Sequence, residues 1–144
     1  MTYLVAADSD FPKRVKEIGY SGIDAIGDPC KGLDQIKLST LNSIINSIDY
    51  DPDFMMTDES LVYHESKEDG PWMWIFPLVF LNAMANLDKS LIPSIIDKWL
   101  KTDEFQLPHM HNAKGDAQEY FDIIRNNCIR CVDKSWSMYL YVSL

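Results

Sequence analysis

From Asp34 onward the apolar positions Leu38, Leu41, Ile44, Ile45 and Ile48 return at helical spacing, with Ser39, Asn42, Ser43, Asn46 and Ser47 on the opposite side. A helix with one core-facing stripe is expected there. The pattern changes after residue 60. Leu61 to Glu65 and the aromatic run Trp72-Met73-Trp74-Ile75-Phe76 flank the turn signal Asp69-Gly70-Pro71, which predicts a hairpin of 61–65 with 72–76. Pro77 suits the opening turn of a helix over 77–87, whose apolar residues run almost all round it and predict burial. Leu91, Ile92, Ile95, Ile96, Trp99 and Leu100 then form pairs four apart, and Pro93 places the start of that helix near Ser90.

Asp116 with Glu119 resembles a capping box, followed by the stripe Tyr120, Phe121, Ile124, Cys128, Cys131 and Val132 to about residue 133. Residues 136–144 alternate, Trp136, Met138, Leu140, Val142 and Leu144 against Ser137, Tyr139, Tyr141 and Ser143, as a half-buried strand does. Near the start, residues 2–6 suit a short strand, and Pro12 opens a brief helix that Gly19 closes. Residues 19–32, with four Gly and one Pro, read as irregular structure. Helices outweigh strands and do not alternate regularly with them. The expected fold is therefore α+β: a helix-rich single domain over residues 1–144, with about five helices and a small, mostly antiparallel sheet that includes the C-terminal strand.

Charge changes the picture at one place. The chain of 144 residues carries a formal net charge of −9. Residues 49–70 hold Asp49, Asp51, Asp53, Asp58, Glu59, Glu65, Glu68 and Asp69 against Lys67 alone, a net of −7. Such a segment is either a solvated connection or an electrostatic docking surface for a basic partner. The overall acidity argues against a protein built mainly to hold nucleic acid, which needs a basic face for phosphates. The longest nearly apolar stretch, residues 71–85, falls short of the roughly 20 residues of a spanning helix, so no membrane span is expected. The opening MTYLVAADSD has neither a basic region nor a long apolar core, and the three cysteines are an odd set. Both features point to a reducing, cytoplasmic setting.

Candidate chemistry is sparse. Asp49, Asp51 and Asp53 match the opening ligands of a calcium loop, but Phe54 stands where that loop needs Gly, and Ser60 where it needs Glu. His109 and His111 with Cys128 and Cys131 have the ligand types of a Cys₂His₂ zinc site. The cysteines, however, lie on an apolar helical stripe, where they read as core. Cys30 beside Lys31 reads as a turn cysteine, and His64 and Glu65, as strand neighbours, point to opposite faces. Gly19-Tyr20-Ser21-Gly22 lacks the Lys and Ser/Thr of a phosphate loop. No catalytic residue, metal ligand or cofactor is assigned. Tyr139 and Tyr141, opposite the core-facing stripe of the last strand, either form an exposed protein-binding patch or are covered by a helix or loop.

A further ordering of residues runs through the chain. Gly32-Leu33 precedes Ile36-Lys37-Leu38-Ser39-Thr40-Leu41, then Glu68-Asp69-Gly70-Pro71-Trp72. Pro77 with Ala83-Met84-Ala85-Asn86-Leu87 follows, then Asp97-Lys98-Trp99 with Thr102-Asp103-Glu104-Phe105, and last Tyr139-Leu140-Tyr141-Val142-Ser143-Leu144. This order resembles a family of small, acidic, uncharacterised bacterial proteins over most of residues 32–144. The shared positions are mostly core and capping residues, so the resemblance implies a common fold and carries no catalytic motif.

The functional expectation is a non-enzymatic protein-binding protein. Its partner-binding residues would be Asp49, Asp51, Asp53, Asp58, Glu59, Tyr139 and Tyr141, and its partner a basic protein. An immunity-type protein that neutralises a basic toxin is a concrete form. The alternative is a small enzyme or metal-binding protein using His109/His111 and Cys128/Cys131.

Overall fold

The computed structural model describes residues 1–144. Its frame is a five-stranded sheet built from β1 (Thr2–Ala7), β2 (Asp28–Pro29), β3 (Leu61–His64), β4 (Trp72–Ile75) and β5 (Ser137–Val142), in the order β2-β1-β5-β4-β3. Every neighbouring pair is antiparallel. The C-terminal strand is therefore the centre of the sheet. It pairs with β1 from Thr2↔Val142 to Ala7↔Ser137, and with β4 from Trp72↔Val142 to Ile75↔Tyr139. Around this sheet the chain forms α1 (Val15–Ile26), α2 (Gln35–Asn46), α3 (Leu78–Ala85), α4 (Ile92–Leu100) and α5 (Ala113–Lys134). The α+β expectation and the β3–β4 hairpin are both present. No helix is long and apolar enough to cross a membrane.

The larger layer lies on the side of Leu4, Met138 and Leu140, where Leu38, Phe80, Met84, Trp99, Phe121, Ile124 and Cys128 pack into one core. Asp34 caps α2 by accepting from the Lys37 amide at 2.9 Å, satisfying one of the free donors at a helix start. Trp99 joins α4 to α2: its indole N–H donates to the Lys37 carbonyl at 2.9 Å, and its ring lies 5.0 Å from that of Phe105. Two expectations change in this layer. The last helix starts at Ala113, ahead of the Asp116 signal. The helix after Pro77 is not buried all round: Leu78 and Val79 are 67% and 69% exposed, while Phe80, Leu81 and Met84 face the core. Leu78 and Val79 belong to its first turn, and only one side of so short a helix meets a partner.

The opposite face is also covered. Tyr3, Val5, Met73, Tyr139 and Tyr141 pack with Phe11, Val15 and Ile23 in a second, smaller core. Residues 20–26, within the stretch expected to be irregular, are helical. Gly19 adopts φ 62° and ψ −173° between two helical stretches, a combination that only glycine takes readily. The helical stretch opened near Pro12 ends at Gly19 as expected, the chain bends there, and a second helical stretch follows at once and carries α1 to Ile26. That bend supplies the cover for the strand expected to be half-buried.

Candidate functional site

The acidic segment begins where α2 stops. Ser47, in left-handed conformation, ends the helix, and a series of turns follows from residue 52 to 60. The turns are fastened at several points. The Ser39 hydroxyl donates to the Asp51 carbonyl at 2.5 Å, and the Asp53 amide donates to Asp51 Oδ1 at 2.9 Å. Phe54 and Met55 are buried, with the Phe54 ring 5.6 Å from that of Phe80. Two apolar side chains thus hold the segment against the core while its carboxylates face water. Asp49, Asp51, Asp53, Asp58, Glu59, Glu65, Glu68 and Asp69 are all exposed. None takes part in the molecule's ion pairs, which are Lys13–Asp10, Arg14–Asp8, Lys37–Asp34 and Lys101–Asp97. Only Glu65 and Glu68 accept from side chains, Tyr63 at 3.0 Å and Ser66 at 3.3 Å. Burial, with Glu65 as the next contribution, pushes the Tyr63 hydroxyl up to about 12.

Beside the start of this segment lies an open cleft of about 570 Å³, lined by Ile36, Thr40 and Ser43 of α2, by Tyr50, and by Thr102, Asp103 and Glu104. Asp103 and Glu104 have no ion-pair partner either, so the cleft continues the negative surface of Asp49 and Asp51. Ile36 and Tyr50 are each 48% exposed. Carboxylates around half-exposed apolar and aromatic side chains suit the recognition of a cationic side chain with an aliphatic stem, such as Lys or Arg. Tyr50, Ile36, Asp103 and Glu104 were not among the expected site residues. One signal was present: Ile36, Thr40 and Ser43 share a face at helical spacing, so Ile36 is an apolar residue on the polar side of α2. The approach of Asp103 and Glu104 had no local signal, because α3 and α4 intervene in the chain.

Other expected groups are placed elsewhere. Tyr139 and Tyr141 are 0% and 3% exposed, which corrects their assignment to an outer binding patch. The Tyr139 ring lies 5.7 Å from Phe11, and its hydroxyl donates to the Asp8 carbonyl at 2.9 Å. The alternation along β5 is as expected, but α1 and the turn before it cover the second face. The four groups of the zinc alternative are not brought together. Cys128 and Cys131 are buried on α5, His109 and His111 are exposed in the loop before it, and no three His, Cys, Asp or Glu side chains converge on a metal-sized space. Burial raises the Cys128 thiol, pushes Cys131 up to about 11 and Cys30 up to about 12. All three are therefore neutral thiols near pH 7 and poor nucleophiles. Comparison with models of protein families, with curated proteins and with solved structures found no match to this chain.

Proposed function

We propose that the chain is a non-enzymatic binding protein that docks a basic protein partner through residues 49–70 and the adjoining cleft. The observation that carries this reading is that the turns bearing Asp51, Asp53, Asp58 and Glu59 are fastened to the core through Phe54 and Met55, while all eight carboxylates of the segment are exposed and none is in an ion pair. Holding like charges in a fixed arrangement steers an oppositely charged surface into register and raises the association rate. A flexible solubilising loop would need no such anchor. Tyr50 and Ile36 supply the apolar contact that charge alone lacks, with Asp103 and Glu104 at the same cleft. Asp49, Asp51, Asp53, Asp58 and Glu59 form the core of the charged face. An immunity-type protein that neutralises a basic toxin, working in the cytoplasm, is the concrete form of this reading.

The test is association kinetics with a basic protein recovered from the native host by pull-down. Asp49, Asp51, Asp53 and Asp58 are replaced by Asn, and Glu59 by Gln. Asn at position 51 retains an oxygen for the Asp53 amide, so the turn keeps its fastening. The Debye length falls from about 30 Å at 0.01 M salt to about 10 Å at 0.1 M. The native chain should therefore associate fastest at low salt and slow steeply over that range, and the variant should associate slowly throughout. Equal on-rates for the two chains at low salt would overturn the proposal.

A further inference from the structure

The largest cleft takes no residue from the acidic segment. It lies between α1 and the end of β1, with a volume of about 650 Å³, in the range of roughly 300–1,000 Å³ typical of small-molecule sites. The space exists because the wall residues are small: Ala6 and Ala7 on β1, Gly22 and Ala25 on α1. Phe11, Ile18, Ile26 and Trp136 complete an apolar lining. The bend at Gly19 sets the course of the α1 wall. The Tyr139 hydroxyl, donating to the Asp8 carbonyl, fastens the turn that leads out of β1.

Three charged side chains line this space: Asp8, Arg14 and Arg130. Two of them satisfy each other. Arg14 Nη2 donates to both Asp8 oxygens at 3.1 and 3.3 Å, and the guanidinium lies 5.6 Å from the centre of the Phe11 ring. The Arg14 guanidinium holds the Asp8 carboxyl below its ordinary value. The exposed Arg130 side chain makes neither an ion pair nor a hydrogen bond within the chain. The lining is thus an apolar slot with a single unmatched positive charge.

We infer that this cleft binds a small monocarboxylate with an apolar body, its head group on Arg130 and its body against the alanine and isoleucine wall. A guanidinium matches a carboxylate through two parallel N–H donors, and the apolar wall recovers the hydrophobic contribution of the ligand's chain. The ionised Asp8 sets the charge limit. One negative charge is balanced by Arg130, and a second would face Asp8 without a cation of its own. The site therefore prefers a monoanion to a dianion. At 0.15 M salt the Debye length is about 8 Å, which screens acids lying farther from the cleft than that.

Calorimetric titration of the full chain with sodium octanoate at neutral pH and this salt tests the assignment. Saturable binding at one site is expected, weakened at least about tenfold by Arg130→Gln, in keeping with loss of a charge-assisted pair. Octanol, which has the same chain without the charge, should bind the native chain and Arg130→Gln alike. Ala25→Trp, which fills the slot, should weaken both ligands, and octyl phosphate as a dianion should bind the native chain less tightly than octanoate. Arg130 and Ala25 are both exposed, so each variant should melt near the native temperature, separating loss of binding from loss of fold. The assignment is overturned by absence of saturable octanoate binding, by equal octanoate affinity in the native chain and Arg130→Gln, by undiminished binding in Ala25→Trp, or by tighter binding of octyl phosphate.

Discussion

Cys128 and Cys131 illustrate how one side chain links packing to pH. Both lie on the inner stripe of α5, 0% and 1% exposed, within the larger core. Burial disfavours the thiolate, so the Cys131 thiol rises from 9.0 to about 11 and that of Cys30 from 9.0 to about 12. The consequence for stability has a definite sign. Well below pH 9 these thiols are neutral in both folded and unfolded chains and add no pH dependence. Above it the unfolded chain ionises first, and the folded state loses stability as pH rises toward the folded values. Tyr120, raised from 10.0 to about 12 by burial, acts in the same direction. The melting temperature should therefore be level through neutrality and fall above pH 9. Replacing Cys128 and Cys131 together by Ala should cost about 1–3 kcal/mol at neutral pH, as expected for two small buried side chains, and should soften the alkaline fall. A melting temperature unchanged between pH 8 and pH 11 would contradict this account of the buried thiols.

At the scale of elements, α1 decides how the sheet is covered. Gly19 sits at φ 62°, and an added Cβ there would meet nothing within 4 Å. Gly19→Ala therefore isolates backbone strain from steric crowding. It should destabilise the fold by about 1–3 kcal/mol, the range for a residue held in a sparsely populated region, and denaturant unfolding measures it. An unchanged midpoint would mean that the bend does not depend on glycine. The same residue shows what could be read in the chain and what could not. Caps and periodicity located α2, α4, the hairpin and β5, because those signals are local. Gly19 carries the local signature of a helix end, and the first helical stretch does end there; the Gly-rich residues after it gave no signal of the second stretch, whose Ile23 packs in one core with Tyr139 and Tyr141. Of the two readings open for those tyrosines, cover by a helix is the one the structure has, and their place among the binding residues falls with it: alternation tells which face a side chain takes, not whether another layer lies on it. The site divides along the same line. Its acids were legible from composition, whereas the cleft joins Tyr50 to Asp103 and Glu104 across more than fifty intervening residues.

For the molecule as a whole, the decisive feature is that most of its net charge of −9 sits in one fastened segment. Eight carboxylates with only Lys67 among them repel one another in the folded state, and that repulsion opposes compactness. The chain keeps the arrangement mainly through contacts that do not need the charges: Phe54 against Phe80, buried Met55, Ser39 on the Asp51 carbonyl, and the Asp53 amide on an Asp51 side-chain oxygen that Asn would also supply. Stability and charge are thus separable here, and the separation can be measured without knowing the partner. In the native chain, raising salt from 0.01 M to 0.1 M shortens the screening length from about 30 Å to about 10 Å, so the melting temperature should rise. With Asp49, Asp51, Asp53 and Asp58 changed to Asn and Glu59 to Gln, the melting temperature at low salt should equal or exceed the native value. The rise with salt should also shrink, because less repulsion is left to screen. A lower melting temperature at both salt concentrations would show that the carboxylates bind the segment to the fold through contacts of their own. The turn would then owe its shape to its charges, and a surface kept charged at a cost to stability would lose its physical basis.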